Sequence, residues 1–244
     1  MIAQKILIAL LGFFALVFLG FQAFGLEFEA AGIRVLLLLL LIGLYCNRSS
    51  KGSFLYLVFL VFFSIAEILN FVNWLSAPVP IDKIDYLYII GNSLYILSYL
   101  ILIIQTLLSF NLVEVFRKYI FHIFVLILLD ILSVVVVTNT IMDVMPHYAY
   151  YLEFIYNAVI MILLNVALIN YLHKDDKRSF TLLVGSIFIF FSEVIQTAYF
   201  YISEISFLNV ISSLFFVCAF VSFCLHSILA NRERKDSILS DLMA

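Results

Sequence analysis

Long apolar runs separated by short polar connections extend from the first residues of the chain to about position 230. A helix needs about 20 mainly apolar residues to cross the ~30 Å hydrocarbon core of a bilayer. The runs are too long for strands and lack the alternation of a membrane barrel, so the pattern predicts an all-α bundle. It predicts eight spans, at 6–26, 31–46, 53–75, 86–109, 118–138, 148–171, 179–203 and 206–230. The second is short and begins near Arg34, and a tight turn at Ser203–Ser206 joins the last two.

The composition agrees with a polytopic integral membrane protein. Of the 244 residues, 66% are hydrophobic and only 12% are charged, with a mean hydropathy of +1.19. Soluble domains have about half apolar and about a quarter charged residues. The chain has no basic face interleaved with aromatic residues, so we expect no nucleic-acid partner. We predict one transmembrane domain over 1–230, surrounded by the bilayer, and a short cytoplasmic tail over 231–244.

The basic residues predict an orientation. Eleven of the 13 lie at the N-terminus, after spans two, four and six, or in the tail, and only Arg34 and Lys83 lie on the opposite side. An odd number of spans would scramble this division. The positive-inside rule therefore predicts that both termini are cytoplasmic. The compact charge division and the lack of a long targeting segment favour a bacterial inner membrane.

Four carboxylates lie within predicted spans: Glu67, Asp130, Glu153 and Glu193. Each costs at least ~2.5–3.5 kcal/mol on insertion scales, so each is a functional hypothesis. Glu153 is nearer the outer interface, where we expect it to be solvated. Asp130 is predicted either to join a common pocket or to pair locally.

Glu67 and Glu193 share a local pattern. The segments EILN (67–70) and EVIQ (193–196) each place an amide three residues after the glutamate, on one helix face. Their matched depth, four spans apart, predicts a parallel repeat of two four-helix halves. Two facing carboxylates can act as an acid and a base. The alternative is that each glutamate bonds its own neighbours and only fixes helix packing.

Further polar residues are candidates for the same pocket. We predict substrate-binding roles for Asn70, Tyr99, Ser192 and Gln196, with Glu67 and Glu193 as the catalytic pair. The four histidines are scattered without metal-ligand spacing, and no glycine-rich phosphate loop occurs. We therefore expect neither a metal site nor another cofactor.

Several of these segments resemble the lysoplasmalogenase (YhhN-like) family of eight-span membrane proteins. Ala66–Glu67 stand at the family's Gly-Asp pair in span three, and Ser192–Glu193 keep the spacing of its Ser-Asp pair after Gly185. The chain also departs from the family pattern. Glutamate replaces both aspartates, and FFVCA (215–219) stands in place of the family's glutamine motif in span eight. In the stretch 91–99, Gly91, Tyr95 and Tyr99 stand at the glycine, aromatic and histidine positions.

The resemblance implies hydrolysis of the vinyl ether of a lysoplasmalogen, which releases a fatty aldehyde. A protonated carboxyl group would protonate the vinyl carbon, and the ionised partner would stabilise the resulting cation and activate water. Two alternatives remain open. One is an inactive lipid-binding or scaffold protein of the same fold, and the other is a small proton-coupled transporter with a path open to each side in turn.

Overall fold

The computed structural model describes residues 2–48, 53–76, 84–142 and 145–243, with only the backbone for 2–3, 48 and 232–243. Within these ranges all regular structure is helical, and eight helices are long and apolar enough to cross a membrane. The predicted count and class are therefore confirmed. The helices are Ile2–Ala23 (α1), Glu27–Arg48 (α2), Phe54–Leu75 (α3), Tyr86–Leu107 (α4), Leu112–Asn139 (α5), His147–Lys174 (α6), Lys177–Tyr201 (α7) and Ser206–Met243 (α8).

The error in the predicted bounds that matters most for the polar interior concerns the second span. α2 begins at Glu27, so Arg34 lies two turns inside the helix instead of at its start. Glu27 and Glu29 occupy the first turn, where carboxylates interact favourably with the positive end of the helix dipole. Gly25, at φ 70°, makes the left-handed turn that separates α1 from α2.

Two other helix bounds also differ from the prediction. α5 starts six residues before the predicted 118, and α8 continues through the predicted tail to Met243. Most of the Pro-containing connection predicted at 76–86, including Lys83, lies outside the described residues, as does Lys51. Asp85 is described, and its carboxylate caps α4 by accepting a hydrogen bond from the Tyr88 amide at 2.9 Å.

Seven of the helices form a closed ring. Each helix packs extensively on the next in the order α1, α2, α3, α4, α6, α7, α8, and α8 packs again on α1. Polar contacts join the ring at one end: Asn209 donates to Gln22 at 2.7 Å, and the Tyr199 hydroxyl donates to Glu27. α3 and α7 are not side by side in this order, so Glu67 and Glu193 lie on helices that at least two others separate.

α5 lies outside the ring and packs extensively only on α6. The Tyr119 hydroxyl donates to the Leu172 carbonyl of α6 at 2.7 Å, and the helix kinks at Tyr119 itself. Many of its large apolar side chains are exposed, as expected where a helix faces lipid. The predicted repeat of two halves is therefore broken at this helix, because α1 completes the ring and its counterpart α5 does not.

α7 and α8 form the tightest contact of the bundle. A Cβ atom at Gly185 would approach the Phe223 ring to 2.6 Å, so the two helices pack closely only because residue 185 is glycine. Two turns beyond Gly185, the Ser192 hydroxyl donates to the Ser212 carbonyl at 2.8 Å. These contacts fix the helix that carries Glu193.

Candidate functional site

A polar cavity of about 220 Å³ lies inside the ring, at the end opposite the chain termini. Its lining residues come from the last turns of α1, α3 and α7 and from the first turns of α2, α4, α6 and α8. Every ring helix therefore contributes to one space. The residues that line it are Gln22, Glu27, Ala31, Arg34, Glu67, Asn70, Trp74, Tyr88, Asn92, Tyr95, Glu153, Tyr156, Glu193, Gln196, Thr197, Phe200, Tyr201 and Asn209.

Glu67 is held by an ion pair. Its Oε1 lies 2.6 Å from Arg34 Nη2, and the two side chains are 2% and 13% exposed. The Arg34 guanidinium also lies over the Phe216 ring, 3.9 Å from its centroid, which adds a cation–π contact. Sequence reasoning missed this partner because it placed Arg34 at the membrane boundary. Because Arg34 lies two turns inside a membrane-spanning helix, its charge requires a partner on another helix.

Glu193 lies on the opposite wall and is only partly buried. It forms no ion pair with a described residue. Its electrostatic neighbours are Arg34, Glu153 and Glu67, and its carboxyl group interacts with the Tyr156 hydroxyl. The two glutamates predicted as a pair thus reach the same cavity, with different partners.

Glu153 also lines the cavity, against the expectation that it is solvated at the interface. The Tyr88 hydroxyl of α4 donates to its Oε1 at 2.7 Å. The expectation rested on depth alone, whereas the direction of the side chain towards the ring interior decides its surroundings. Tyr88 is 65 residues away along the chain, so no local pattern could reveal this contact.

An aromatic floor closes the inner end of the cavity. Phe63 packs 4.7 Å from Phe220 and 4.8 Å from Tyr95, measured between ring centroids. Tyr95 and Tyr156 belong to both the cavity and the floor. The remaining interior towards the termini is filled by the other rings of this cluster, so the described part of the cavity opens at one end. The floor comprises Phe59, Phe63, Tyr95, Tyr99, Tyr156, Phe216, Phe220 and Phe223.

Of the four predicted substrate-binding residues, two line the cavity and two do not. Asn70 and Gln196 lie on its walls, one turn beyond Glu67 and Glu193. Tyr99 is fully buried in the floor, beside Tyr156, with ring centroids 6.1 Å apart. Ser192 points towards α8 and bonds the Ser212 carbonyl. Both lie on helices that border the cavity, but their side chains serve packing between helices.

Asp130 is remote from the cavity. It accepts a hydrogen bond from Asn165 on α6, and its second oxygen is buried without a partner. The space beside it, between α5 and α6, is almost entirely apolar. Of the two predicted outcomes for Asp130, local pairing is therefore the one observed, because α5 lies outside the ring.

The cavity carboxylates are dispersed around its wall. Among the described residues, no three His, Cys, Asp or Glu side chains lie close enough together to hold a metal ion. The chemistry that this arrangement allows is proton transfer by carboxyl groups, together with electrostatic stabilisation of a cation.

Comparison of the chain with family models, with curated proteins and with solved structures finds no match.

Proposed function

We propose that this integral membrane protein is a lipid hydrolase of lysoplasmalogenase type, which uses Glu67 and Glu193 to cleave a vinyl ether. One observation carries the proposal: the two carboxylates line a single polar cavity enclosed by apolar helices. A single-chain lipid can reach such a cavity from the bilayer with its polar end in the cavity and its chain among apolar helices.

The contacts favour different roles for the two glutamates. Arg34 forms an ion pair with Glu67 and favours its ionised form, which suits a group that stabilises a cation and activates water. Among the described residues no cation is in direct contact with Glu193, which suits the group that supplies the proton. The two glutamates are given different roles because, among the described residues, only Glu67 forms an ion pair with a guanidinium.

In the reaction, the Glu193 carboxyl proton is transferred to the vinyl carbon distal to the oxygen, and an oxocarbenium ion forms. Water adds to its carbon while a proton passes to a carboxylate. The hemiacetal then breaks its bond to the glycerol oxygen, which takes up a proton. One water is consumed, and a fatty aldehyde and a glycerophospho-alcohol are released. Proton transfer by positioned groups contributes typically about 10²–10⁴-fold to rate.

The proposed orientation follows from the charge division. Because Arg34 belongs to the cavity, Lys83 is the sole basic residue of the sequence in the connections at the cavity end. The positive-inside rule then places the termini in the cytoplasm and the mouth of the cavity on the opposite side. We retain the bacterial inner membrane as the proposed location.

The direct test is aldehyde release from a lysoplasmalogen by the purified protein in nanodiscs. We expect Glu67→Gln and Glu193→Gln each to lower the rate by about 100-fold or more, because each removes proton transfer or charge stabilisation. Glu114→Gln, a change on the exposed first turn of α5, is the matched control and should retain the rate. Undiminished activity in both cavity variants would exclude the mechanism.

A second function, lipid binding without turnover, is favoured by the ion pair itself. Arg34 already forms an ion pair with Glu67, and Tyr99 is fully buried in the aromatic floor and does not line the cavity. This function predicts that the parent chain retains lipid but releases no aldehyde. The transporter alternative has less support, because it requires a path through the aromatic floor.

A further inference from the structure

Neighbouring helices of the ring are joined unevenly in the half that holds the cavity. At this end, chain connections join α1 to α2, α3 to α4 and α7 to α8. Three of the other four pairs have at least two hydrogen-bond, ion-pair or ring contacts here: Arg34 with Glu67 and Phe28 with Phe71 between α2 and α3, Tyr88 with Glu153 and Asp85 with Tyr148 between α4 and α6, and Asn209 with Gln22 and Phe18 with Phe216 between α8 and α1.

The fourth pair, α6 and α7, has the fewest such contacts. Its chain connection lies at the opposite end of the ring, after Lys174. The ring contact between the two helices, Tyr171 with Phe180, also lies in that opposite half. In the cavity half, the described residues of α6 and α7 share a single hydrogen-bonding interaction, between the Glu193 carboxyl group and the Tyr156 hydroxyl. These two helices can therefore part at the cavity end with the loss of one polar contact.

One row of α7 side chains follows the seam between α6 and α7. Glu193, Thr197 and Tyr201 recur every four residues, so they lie on one face of the helix, and all three line the cavity. The interaction of Glu193 with Tyr156 directs this face towards α6. Phe190, three residues before Glu193, lies on the same face one turn closer to the aromatic floor. Glu193 therefore belongs both to the cavity and to the α6–α7 seam.

The chemistry of a vinyl ether requires a path for the alkyl chain at this point. The carbon that accepts the proton is the second carbon of that chain, so the chain begins beside the proton donor. The polar walls and open outer end of the cavity suit the glycerol and its head group, whereas the packed aromatic floor leaves no room for a chain. Because Glu193 is the proposed donor, the chain must leave the cavity sideways, next to Glu193.

We propose that the alkyl chain of the substrate lies between α6 and α7, and that single-chain lipids enter the cavity through this seam. The inference rests on the proposed function in taking the cavity as the substrate site and Glu193 as the proton donor. Its test measures the binding of a lipid that the protein cannot hydrolyse, so the two proposals fail separately.

Two adjacent phenylalanines of α7 offer a matched pair of reporter positions. Phe190 lies on the face towards α6, whereas Phe191 packs on Phe215 of α8, with ring centroids 6.2 Å apart. Trp74→Phe removes the only tryptophan of the chain, and Phe190→Trp or Phe191→Trp then supplies a single one. The protein in phosphatidylcholine nanodiscs is titrated with a 1-O-alkyl-lysophosphatidylcholine that carries a pair of bromines in its chain. Its saturated ether has no vinyl carbon to protonate, and bromine quenches tryptophan emission at short range.

We expect saturable quenching of the Phe190→Trp reporter, which an excess of the same lipid without bromine reverses. The Phe191→Trp reporter, at a side chain that is 46% exposed, should show only the non-saturable quenching caused by lipid dissolved in the disc. Thr197→Phe fills the seam beside Glu193 and should remove the saturable quenching from the Phe190→Trp reporter. Thr140→Phe, at the exposed end of α5, is the matched control and should leave that quenching unchanged.

The outcomes are distinct. Equal, non-saturable quenching of the two reporters, or saturable quenching that Thr197→Phe leaves unchanged, would overturn the inference. Saturable quenching confined to the Phe190→Trp reporter would support it, even if the parent chain releases no aldehyde and the hydrolase proposal fails. Aldehyde release without saturable quenching at that reporter would support the hydrolase and overturn the inference. If Thr197→Phe does not show the unfolding transition of a folded chain, the comparison of the two reporters decides alone.

Discussion

The α3 and α7 walls of the cavity carry the same pattern, a glutamate followed three residues later by an amide, in different surroundings. Glu67 is 2% exposed and 2.6 Å from Arg34, whereas Glu193 borders the cavity and forms no ion pair with a described residue. Their depths match, since Glu67 is eight residues before Leu75 and Glu193 eight before Tyr201. The local pattern thus sets the depth of a carboxylate, while a cation from another helix sets its electrostatic role.

The largest difference between the walls should appear when the cation is removed. Arg34→Met leaves Glu67 buried without its partner, which costs about 3–5 kcal/mol of unfolding free energy for a broken buried pair. Glu193→Gln should cost less than ~1 kcal/mol, because Glu193 has no ion pair with a described residue to lose. Chemical unfolding in detergent measures both. Arg34→Met with Glu67→Met should recover most of the loss, and equal costs for Arg34→Met and Glu193→Gln would refute the contrast.

The α7 wall should depend instead on its contact with α8. Gly185→Ala forces a Cβ against the Phe223 ring, and we expect a loss of about 1–3 kcal/mol in unfolding free energy. Gly43→Ala on α2 is the control, because nothing lies within 4 Å of the added carbon. There alanine should be neutral or stabilise by up to ~1 kcal/mol. The same sign of effect at both positions would contradict the described α7–α8 packing.

Glu153 tests whether a third carboxylate belongs to the cavity. Tyr88→Phe removes the hydroxyl that donates to Glu153 and should cost about 1 kcal/mol. Tyr86→Phe, at a side chain that is 68% exposed, should leave the unfolding free energy unchanged. If both variants unfold like the parent chain, Glu153 is solvated as the sequence had suggested.

The smallest effect concerns the start of α7, far from the cavity. Partial burial raises the pKa of Asp176, but hydrogen bonds from Ser179 and the nearby Lys174 and Arg178 outweigh it and hold the pKa below its ordinary value. A lowered folded-state pKa means that the stabilisation is complete above about pH 4 and is lost as pH falls through the folded value.

Asp176→Ala should therefore cost ~0.5 kcal/mol at neutral pH, as expected for the loss of an N-cap. The difference in unfolding free energy between this variant and the parent chain should shrink as the pH is lowered below about 4. A difference that stays constant down to pH 2 would contradict the cap. Glu204→Ala, at an exposed carboxylate in the connection between α7 and α8, is the control.

Hydropathy and charge predicted the number of helices well, because the cost of a polar backbone in lipid leaves few alternatives. The same rules placed the start of α2 too late. Glu27 and Arg34 of this helix line the cavity, and a hydropathy pattern cannot distinguish a charged residue inside a bundle from one in a loop. For this reason the sequence did not assign Arg34 and Glu27 to the candidate site.

The order of the helices around the ring could not be predicted from the sequence. The repeat pattern predicted two equivalent halves, yet α5 lies outside while α1 closes the ring. As a result Glu153 lines the cavity, against expectation, and Asp130 pairs locally, because the position of a helix in the ring decides what its carboxylate faces. Tyr99 and Ser192 had the correct depth, but they face neighbouring helices and not the cavity.

The central claim is that Glu67 and Glu193 face one water-filled cavity. A chain with Glu67→Cys and Glu193→Cys, and with its three native cysteines replaced by alanine, is treated with a short water-soluble bis-thiol cross-linker and digested. The account predicts a link between the α3 and α7 peptides, and none in the matched chain that carries Glu67→Cys with Asp130→Cys. Single labelling of both cysteines without a link, or an equal yield in the Asp130 chain, would contradict it.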